Sequence, residues 1–377
     1  MVALFGNYAR RPISIEKGQG TFVWDANGKQ YLDFTSGIAV VSLGHAHPAI
    51  VKAIQEQSEK LWHISNLFES PGQEALAAKL VEDTHLTHAF FCNSGAEANE
   101  AAIKLARKHS GKHRIITFEK SFHGRTFGAM SATGQDKVRN GFGPLVSEFT
   151  ILPYNDIEAL QAAAGDDVAA IMLELIQGEG GVNSVSADFA QAINELCKAK
   201  GILCIVDEVQ TGIGRTGTRY AWEQTVLKPD IVTLAKGLGG GFPIGSMLGT
   251  AEMYDTFNAG THGTTFGGNP LAVSVATTVL AHVFEADFLS TVKERSTYFV
   301  QKLQEAFSAE KYTIQGKGLL LGIGCGNEDV TPYIQQAEKD GLLLVSAGPN
   351  VIRLLPPLTV SEEEIDQAIT ILKGILR

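Results

Sequence analysis

Continuous apolar runs alternate with helix-like stretches through the middle of the chain. The runs at 168–176, 201–209 and 230–236 are almost wholly apolar, which is typical of strands buried on both faces of a sheet. Residues 188–201 lie between two of these runs and predict a helix that ends at a glycine. This order of elements predicts an α/β fold with a mainly parallel sheet.

Two earlier apolar runs extend this pattern. Residues 88–93 and 114–119 predict short strands, and residues 94–111 between them predict a helix. Ser94 has the position of an N-terminal cap, and Gly111 has the position of a C-terminal one. The start of a helix is therefore expected directly after the end of a strand.

Both ends of the chain show a different pattern. Residues 20–34 alternate apolar and polar positions around an Asn-Gly pair, the strongest short signal for a β-hairpin. After about residue 270, a long helix-like stretch extends towards residues 303–310. Short strands and a closing helix are expected next, and the predicted strands are 319–325, 342–348 and 351–357. We expect a smaller α+β domain, which the N-terminal hairpin joins.

Composition and charge narrow the class of protein. The chain has 377 residues, of which 44% are hydrophobic and 19% charged, enough for a large globular core. Its net charge of -10 argues against nucleic-acid and anionic-membrane partners. No apolar run approaches about 20 residues, and the N-terminus does not resemble a signal peptide. The four cysteines lack metal-like spacing, so we expect free thiols, no metal site and a cytoplasmic location.

Two charged residues end apolar runs in the middle of the chain. Asp207 ends one run, and Lys236 ends the next, with four glycines in the five residues after it. Ligands of open parallel sheets bind at the carboxyl ends of strands, and neighbouring strands would bring both residues to one rim. One interpretation is a buried ion pair. The other is catalytic, because a desolvated lysine is a nucleophile that forms Schiff bases.

A second candidate site lies where a strand leads into a helix. The backbone of Ser94, Gly95 and Ala96 would present free N–H groups at the positive end of a helix dipole, which suits a phosphate. The alternative is an ordinary helix cap with no ligand.

The motif GIGRTG at 212–217 raises the alternative of a nicotinamide-dependent dehydrogenase. It follows a predicted strand, as a dinucleotide-binding turn should. However, an acidic pair precedes its glycines, and Asp230 begins a strand, whereas a ribose-binding acid should end one. The dehydrogenase therefore rests on one weak motif.

Several long motifs resemble one family in the correct order. They are NSGAEANEAAIKLAR, SFHGRTFGAM, QGEGG, VDEVQTGIGRTG, LAKGLGGGFPIG and THGTTFGGNP. They resemble the class III, pyridoxal-phosphate-dependent aminotransferases over nearly the whole chain. Within that class, GIAVVSLGHAHP and HISNLF are most similar to the acetylornithine aminotransferases of arginine biosynthesis.

The resemblance implies the fold-type I aminotransferase architecture and a homodimer with shared active sites. It implies a large, mainly parallel-sheet domain at 46–275 and a smaller α+β domain formed by 1–45 and 276–377. The implied reaction is transamination of N-acetylornithine with 2-oxoglutarate, giving N-acetylglutamate semialdehyde and glutamate. Pyridoxal 5'-phosphate is the implied cofactor.

The resemblance also implies a role for each matching residue around the cofactor. Lys236 is the lysine that bonds covalently to pyridoxal phosphate and shuttles the proton, and Asp207 faces the ring nitrogen. The remaining cofactor residues are Phe122 and Val209 on the two ring faces, Gln210 at the 3'-oxygen, Ser94, Gly95 and Ala96 at the phosphate, and Thr265, given to the phosphate by the partner subunit.

Two arginines match the residues that bind the substrates' carboxylates. Arg125 matches the one that binds the α-carboxylate of acetylornithine and the side-chain carboxylate of glutamate. Arg353 matches the one that binds the α-carboxylate of glutamate, for which planar bidentate pairing is suited. Glu179 matches an acid that pairs with Arg353 when no carboxylate is there. Without the motif, the favoured interpretation of Arg353 is a structural ion pair in the smaller domain. Leu175 stands where the family usually has proline.

Alternatives with the same chemistry remain open. They are the ornithine, succinylornithine and 4-aminobutyrate aminotransferases. The motifs separate these poorly, because a few loop side chains determine which length of substrate is accepted. A non-enzymatic protein on this fold would be expected to lose Lys236 or Asp207, and both are present.

Overall fold

The structure is a computed structural model that describes residues 3–376. The strands are β1 Ile15–Gln19, β2 Phe22–Asp25, β3 Gln30–Asp33, β4 His88–Cys92, β5 Arg114–Phe118, β6 Phe149–Leu152, β7 Val168–Leu173, β8 Ile176–Gln177, β9 Asn183–Ser184, β10 Leu203–Asp207, β11 Ile231–Leu234, β12 Gly245–Gly249, β13 Thr313–Lys317, β14 Leu320–Gly324, β15 Leu342–Leu343, β16 Val345–Ser346 and β17 Val351–Leu354.

The helices lie between and around these strands. They are α1 Ser36–Ala39, α2 Pro48–Ser58, α3 Pro71–Val81, α4 Gly95–Ser110, α5 Phe127–Ala132, α6 Asp136–Arg139, α7 Ile157–Ala163, α8 Ala187–Lys200, α9 Pro270–Val283, α10 Ala286–Ala306, α11 Thr331–Lys339 and α12 Glu362–Ile375. Short 3-10 helices occupy Ala221–Gln224, Lys236–Gly239 and Ala251–Phe257.

A seven-stranded sheet forms the centre of the fold, in the order β4-β12-β11-β10-β7-β5-β6. Strands β6, β5, β7, β10 and β11 run parallel, and β12 runs antiparallel to both of its neighbours. Every residue of β7 is buried, and its side chains divide between two hydrophobic clusters. Ile171 packs in a cluster with Phe189 of α8, whereas Met172 packs with Ile103 of α4. The prediction of a mainly parallel α/β sheet is confirmed.

The helix predicted after β4 is present with both of its expected caps. Ser94 accepts a hydrogen bond from the backbone N–H of Glu97, and Gly111 ends the helix in the left-handed conformation. Strand β12 was not predicted, because its sequence GSMLG is short and begins and ends with glycine, which weakens the signal for a strand.

The two chain ends meet in a four-stranded sheet, ordered β1-β2-β3-β15. The hairpin predicted at 20–34 is confirmed as β2 and β3, with Phe22 opposite Leu32. The single strand predicted at 342–348 is wrong: β15 joins β3, whereas β16 pairs with β17 in a second sheet, ordered β13-β14-β17-β16. One apolar run therefore serves two sheets. The predicted domain boundaries at 45/46 and 275/276 remain a prediction.

The helix-like stretch after residue 270 is not continuous, contrary to the prediction. It forms α9 and α10, whose axes differ by 69°. The backbone of Glu285 is extended at the break, and Phe284 packs edge-on against Tyr220. Within residues 3–376, no single helix is long and apolar enough to cross a membrane; α9 and α10 reach that threshold only as a bent pair.

Candidate active site

A cavity of about 410 Å³ lies at the carboxyl ends of β10 and β11. Most of the predicted site residues line it, and these are Ser94, Gly95, Ala96, Phe122, Arg125, Glu179, Asp207, Val209, Gln210 and Lys236. The parallel pairing of β10 and β11 explains the meeting of Asp207 and Lys236, because their strand ends share one edge of the sheet.

The carboxylate of Asp207 is buried and held on several sides. Its Oδ2 accepts a hydrogen bond from Nδ2 of Asn99 at 2.8 Å and lies 2.8 Å from Nδ1 of His123. Its Oδ1 accepts from the backbone N–H of Val209 at 3.0 Å. Asn99 is itself oriented by Thr233, whose hydroxyl donates to the amide oxygen at 2.7 Å. These partners come from separate elements, so the carboxylate has one defined position.

The histidine beside Asp207 is buried within the same network. Burial alone would lower the pKa of His123, but the hydrogen bond and charge of Asp207 raise it. His123 lines the cavity, and within residues 3–376 its Nε2 is buried without a hydrogen-bond partner. A buried polar atom without a partner is costly, so it marks a place where a bound polar group is favoured.

Lys236 lies just beyond the end of its strand rather than on it. Strand β11 ends at Leu234, and Lys236 begins a 3-10 turn with φ of 41°. This conformation costs a side chain about 1–3 kcal/mol and is typically found at functional sites. Burial lowers the pKa of Lys236, although the charge of Glu179 opposes that shift. No hydrogen bond to its Nζ is found among residues 3–376, so the amine is available to a ligand.

The first turn of α4 forms one end of the cavity. Ser94 caps α4, and Gly95 and Ala96 begin it; because all three line the cavity, the positive end of this 16-residue helix lies at the cavity. A Cβ added to Gly95 would lie 2.8 Å from a methyl group of Val209, and one on Gly245 would lie 2.5 Å from the carbonyl oxygen of Ser94. Glycine at these two positions lets the start of α4 pack closely against Val209 and β12.

Phe122 and Val209 line the cavity and are each held through the backbone. The N–H of Phe122 donates to Oε2 of Glu174 at 2.9 Å, just as the N–H of Val209 donates to Asp207. Arg125 is exposed, and its guanidinium lies 5.5 Å from the centre of the Phe122 ring.

Arg353 and Glu179 form an ion pair beside this cavity. Nη1 of Arg353 lies 2.6 Å from Oε1 of Glu179, and it also donates to Oε1 of Gln210 at 3.1 Å and to the carbonyl of Gly178 at 2.7 Å. The Arg353 side chain is 1% exposed, whereas that of Glu179 is 29% exposed. Burial would raise the pKa of Glu179, but the charge and hydrogen bond of Arg353 lower it.

Thr265 does not line this cavity. It is exposed in the segment before α9, outside the cavity residues. Its assignment to the site of a partner subunit remains a prediction.

Sequence reasoning missed three residues of the site, namely Asn99, His123 and Glu174. Glu174 gave the same signal as Asp207, a carboxylate at the end of an apolar run, and its strand end lies beside that of Asp207. His123 lies within the quoted motif SFHGRTFGAM but matched no assigned role. Asn99 gave no signal, because a single amide in a helix is ordinary.

The loop GIGRTG lacks the geometry of a dinucleotide site. It leads to the 3-10 turn Ala221–Gln224 rather than to the start of a helix that would receive a pyrophosphate. Arg215 within it is buried, and its Nη1 donates to the carbonyls of Leu319 and Pro356. The loop thus contacts the C-terminal part of the chain. No cluster of three or more possible metal ligands occurs within residues 3–376.

Comparison with known proteins gives consistent matches over the whole chain. The sequence model of the family described as "Aminotransferase class-III" matches residues 6–376. The acetylornithine aminotransferase of Bacillus cereus is 54% identical over 375 residues, which cover 99% of this chain and 97% of that protein. Curated relatives from other bacteria have the same description, including that of Bacillus subtilis at 52% identity, over 99% of this chain and 97% of that protein.

Two solved structures share the fold. The N-acetylornithine aminotransferase of Stenotrophomonas maltophilia has a TM-score of 0.85 and 37% identity, over 98% of this chain and 96% of that one. An ornithine aminotransferase of Toxoplasma gondii, described with partial occupancy of PLP at its active site, has a TM-score of 0.93 and 33% identity, over 99% of this chain and 91% of that one.

Proposed function

This chain belongs to the class III aminotransferases, and from that premise we propose that it transfers the amino group of N-acetylornithine to 2-oxoglutarate. The products are N-acetylglutamate semialdehyde and glutamate, as in arginine biosynthesis. The observation that supports this most is the Glu179–Arg353 pair beside Lys236. It offers a carboxylate-binding arginine that is masked by an acid, as a site that alternates between two amino donors requires.

Pyridoxal phosphate is the cofactor of this family, and the cavity fits it. The cavity has an anion-binding helix start at Ser94, a buried carboxylate in Asp207 and an amine without a partner in Lys236. When bound, pyridoxal phosphate supplies a carbonyl carbon that bonds to amines and a conjugated ring that accepts an electron pair. Phe122 and Val209 would contact the two faces of that ring.

The side chain of Lys236 acts as the base of the reaction. Its lowered pKa increases the fraction of neutral amine, the form that attacks a carbonyl carbon and accepts a proton. Nζ removes the proton from the substrate carbon that bears the amino group. The turn after β11 holds this amine at the strand end, while the glycines that follow keep side chains away from it.

Asp207 would supply a fixed negative charge to the ring nitrogen of the bound cofactor. An ionised carboxylate opposite a ring nitrogen keeps that nitrogen protonated and so favours electron withdrawal. The donors from Asn99, His123 and Val209 hold the carboxylate in place before any ligand binds. Such preorganisation avoids a cost of reorientation during the reaction.

Substrate choice follows from the arrangement of the charged side chains. Arg125 binds a carboxylate of either substrate at the exposed side of the cavity. Arg353 binds the α-carboxylate of glutamate once Glu179 moves away, and Glu179 covers it while N-acetylornithine reacts. Arg353 is buried and also bonded to Gly178 and Gln210, whereas Glu179 is partly exposed, so the acid is the partner that moves.

We further propose a homodimer. The segments at 61–68 and 254–266 expose large apolar side chains, including Trp62, Leu67, Phe68 and Phe266. Nδ2 of Asn66 donates to the carbonyl of Thr264, so the two segments form one surface. Exposed apolar patches of this kind are typical of subunit interfaces, and a two-fold dimer pairs such a surface with itself. Thr265 lies on it, in reach of a second copy.

Two measurements test the proposed reaction. Purified protein with pyridoxal phosphate should absorb in the visible range, and borohydride should bleach this band if an amine of the protein is bonded to the cofactor. Each amino donor is then mixed with the holoenzyme in a single turnover, using N-acetylornithine, ornithine, N-succinylornithine and 4-aminobutyrate. Of these four donors, N-acetylornithine is expected to give the fastest half-reaction. A faster reaction with another donor would identify that donor as the substrate in place of N-acetylornithine. The absence of a visible band would argue against a pyridoxal-phosphate enzyme.

A further inference from the structure

Glu174 is a buried carboxylate that joins two loops of the candidate site. It follows β7 directly, and its side chain lines the cavity. Its Oε2 accepts from the N–H of Phe122 at 2.9 Å, and its Oε1 accepts from the N–H of Gly178 at 3.2 Å. Both oxygens are therefore used as acceptors, one by each loop.

The two loops belong to different parts of the mechanism. Phe122 lines the cavity, as do Lys236 and Asp207. Gly178 directly precedes Glu179, and its carbonyl accepts a hydrogen bond from Arg353 at 2.7 Å. A series of contacts therefore runs from the N–H of Phe122 through Glu174 and the peptide of Gly178 to the guanidinium of Arg353.

There is little free space for the second loop to settle elsewhere. A Cβ added to Gly178 would lie 2.4 Å from the side-chain amide of Gln210. Nε2 of Gln177 donates to the carbonyl of Glu119 at 2.8 Å, which is a second tie between the same two loops. The side chain of Glu174 thus contacts segments that already pack closely, and small changes in its contacts act directly on both.

The charges around Glu174 balance its own charge only in part. Burial raises the pKa of Glu174 to about 7, while the charge of His123 lowers it and that of Asp207 raises it. Its charge also interacts with that of Lys236, in the turn after β11, and the hydroxyl of Tyr154 donates to its backbone carbonyl at 2.7 Å. When the carboxylate is ionised, above a pH of about 7, it has no cationic partner in hydrogen-bond contact and is stabilised by its two backbone donors.

We propose that Glu174 is a positioning residue that couples the Phe122 loop to the Gly178–Glu179 turn, and so sets the balance between the two amino donors. This inference rests on the proposed function, because only a site with two donors has such a balance. Glu174 itself acts through Phe122 and Arg353.

The substitution Glu174→Gln tests this idea with little change of volume. An amide group has one acceptor oxygen, so it can accept from one of the two backbone N–H groups and must face the other with its own NH2. Glu174→Ala removes both acceptors. Glu208→Gln is the matched control, because Glu208 is also buried, has a pKa raised to about 7 and accepts from the N–H of Trp222, yet does not line the cavity.

Hydrogen exchange of the cofactor-free protein gives a readout that is independent of activity. Above pH 7, where the Glu174 carboxylate of the unsubstituted protein is ionised, the amide of Phe122 or Gly178 should exchange at least about tenfold faster in Glu174→Gln, since a hydrogen bond to a charged group contributes about 1.5–3 kcal/mol. In Glu174→Ala, the amides of both Phe122 and Gly178 should exchange faster. Glu208→Gln should leave both amides unchanged. Unchanged protection of both amides in Glu174→Gln would overturn the proposal even if Glu174→Ala fails to fold.

Single-turnover rates then test the consequence for the reaction. The ratio of the rate with glutamate to that with N-acetylornithine should shift at least about threefold in Glu174→Gln, in either direction, and stay constant in Glu208→Gln. An equal slowing of both half-reactions would mean that Glu174 only supports the fold, and would contradict the proposal. If the unsubstituted protein does not react with either donor, the proposed function fails, whereas the exchange result still decides whether Glu174 couples the loops.

Discussion

Two regions of the site handle charge in opposite ways. At the rim, which consists of Asp207 and Lys236, the carboxylate is 3% exposed and bonded by donors from separate elements. At the junction, which consists of Glu179, Gln210 and Arg353, the arginine is buried but its acidic partner is 29% exposed. The Asp207 carboxylate at the rim is therefore held in one position. At the junction, water or a ligand can displace Glu179 from Arg353.

The difference follows from where each group is attached. Asp207 ends a strand in the middle of the seven-stranded sheet, so its backbone cannot shift without disturbing both neighbours. Glu179 lies on the turn between the two-residue strands β8 and β9. A rigid position suits a charge that must stay opposite a cofactor, and a movable one suits a charge that has to leave.

Replacing the rim lysine should have the largest effect. Lys236→Ala should leave no measurable transamination while the protein still folds, because no other amine is expected to take its place. Mass spectrometry after borohydride reduction should find a pyridoxyl group on Lys236 in the unsubstituted protein. The exposed Lys373 provides a control, and Lys373→Ala should react normally. A pyridoxyl group on another lysine would refute the assignment.

Removing the rim charge without changing its shape should be the next most damaging change. Asp207→Asn keeps the size of the side chain but loses the anion, so turnover at saturating cofactor should fall by about 10- to 100-fold or more. Asp230→Asn alters a carboxylate at the opposite end of the sheet, where it accepts from the N–H of Cys204, and turnover should change far less. Near-normal turnover of Asp207→Asn would show that its charge has another purpose.

Changes at the junction should alter the preference for donors instead of abolishing the reaction. Glu179→Ala frees Arg353, so the half-reaction with glutamate should gain relative to that with N-acetylornithine. Arg353→Ala should do the reverse. Each ratio should change by about tenfold, from about 1.5–3 kcal/mol for a desolvated carboxylate–arginine contact. Arg125→Ala should slow the half-reactions with both donors. Single-turnover absorbance measures the two half-reactions in all three variants. Equal slowing by Glu179→Ala would identify Glu179 as a structural acid.

The smallest effect concerns stability against pH. The pKa of Glu179 is lowered in the folded protein, so its ion pair stabilises the fold above its ordinary value near 4.5. That contribution should be lost as the pH falls through the folded-state pKa. Glu179→Gln should therefore reduce the free energy of unfolding by about 1 kcal/mol at pH 7. The difference from the unsubstituted protein should vanish below the folded-state pKa. Denaturant titrations at a series of pH values measure this difference in the free energy of unfolding. A difference that does not change with pH would exclude the ion pair as the source of the lost stability.

Much of the fold was accessible from the local pattern. Fully apolar strands, the caps of α4 and the Asn-Gly hairpin each have a signal within a few residues, and the structure has all of them. Two predictions failed where the local pattern was uniform. One apolar run at 342–348 serves two sheets, and one helical stretch bends at Phe284 and Glu285, because packing partners distant in sequence decide both.

Local sequence patterns identify which residues carry charge at strand ends, and the motifs identify the family. The sequence therefore pointed to Asp207, Lys236 and the start of α4. Only the tertiary structure decided which side chains touch. The network of Asn99 and His123 around Asp207, and the bridge of Glu174 between two loops, join residues from separate elements. Such contacts have no period or spacing in the sequence, because the sheet brings together strand ends that lie far apart along the chain.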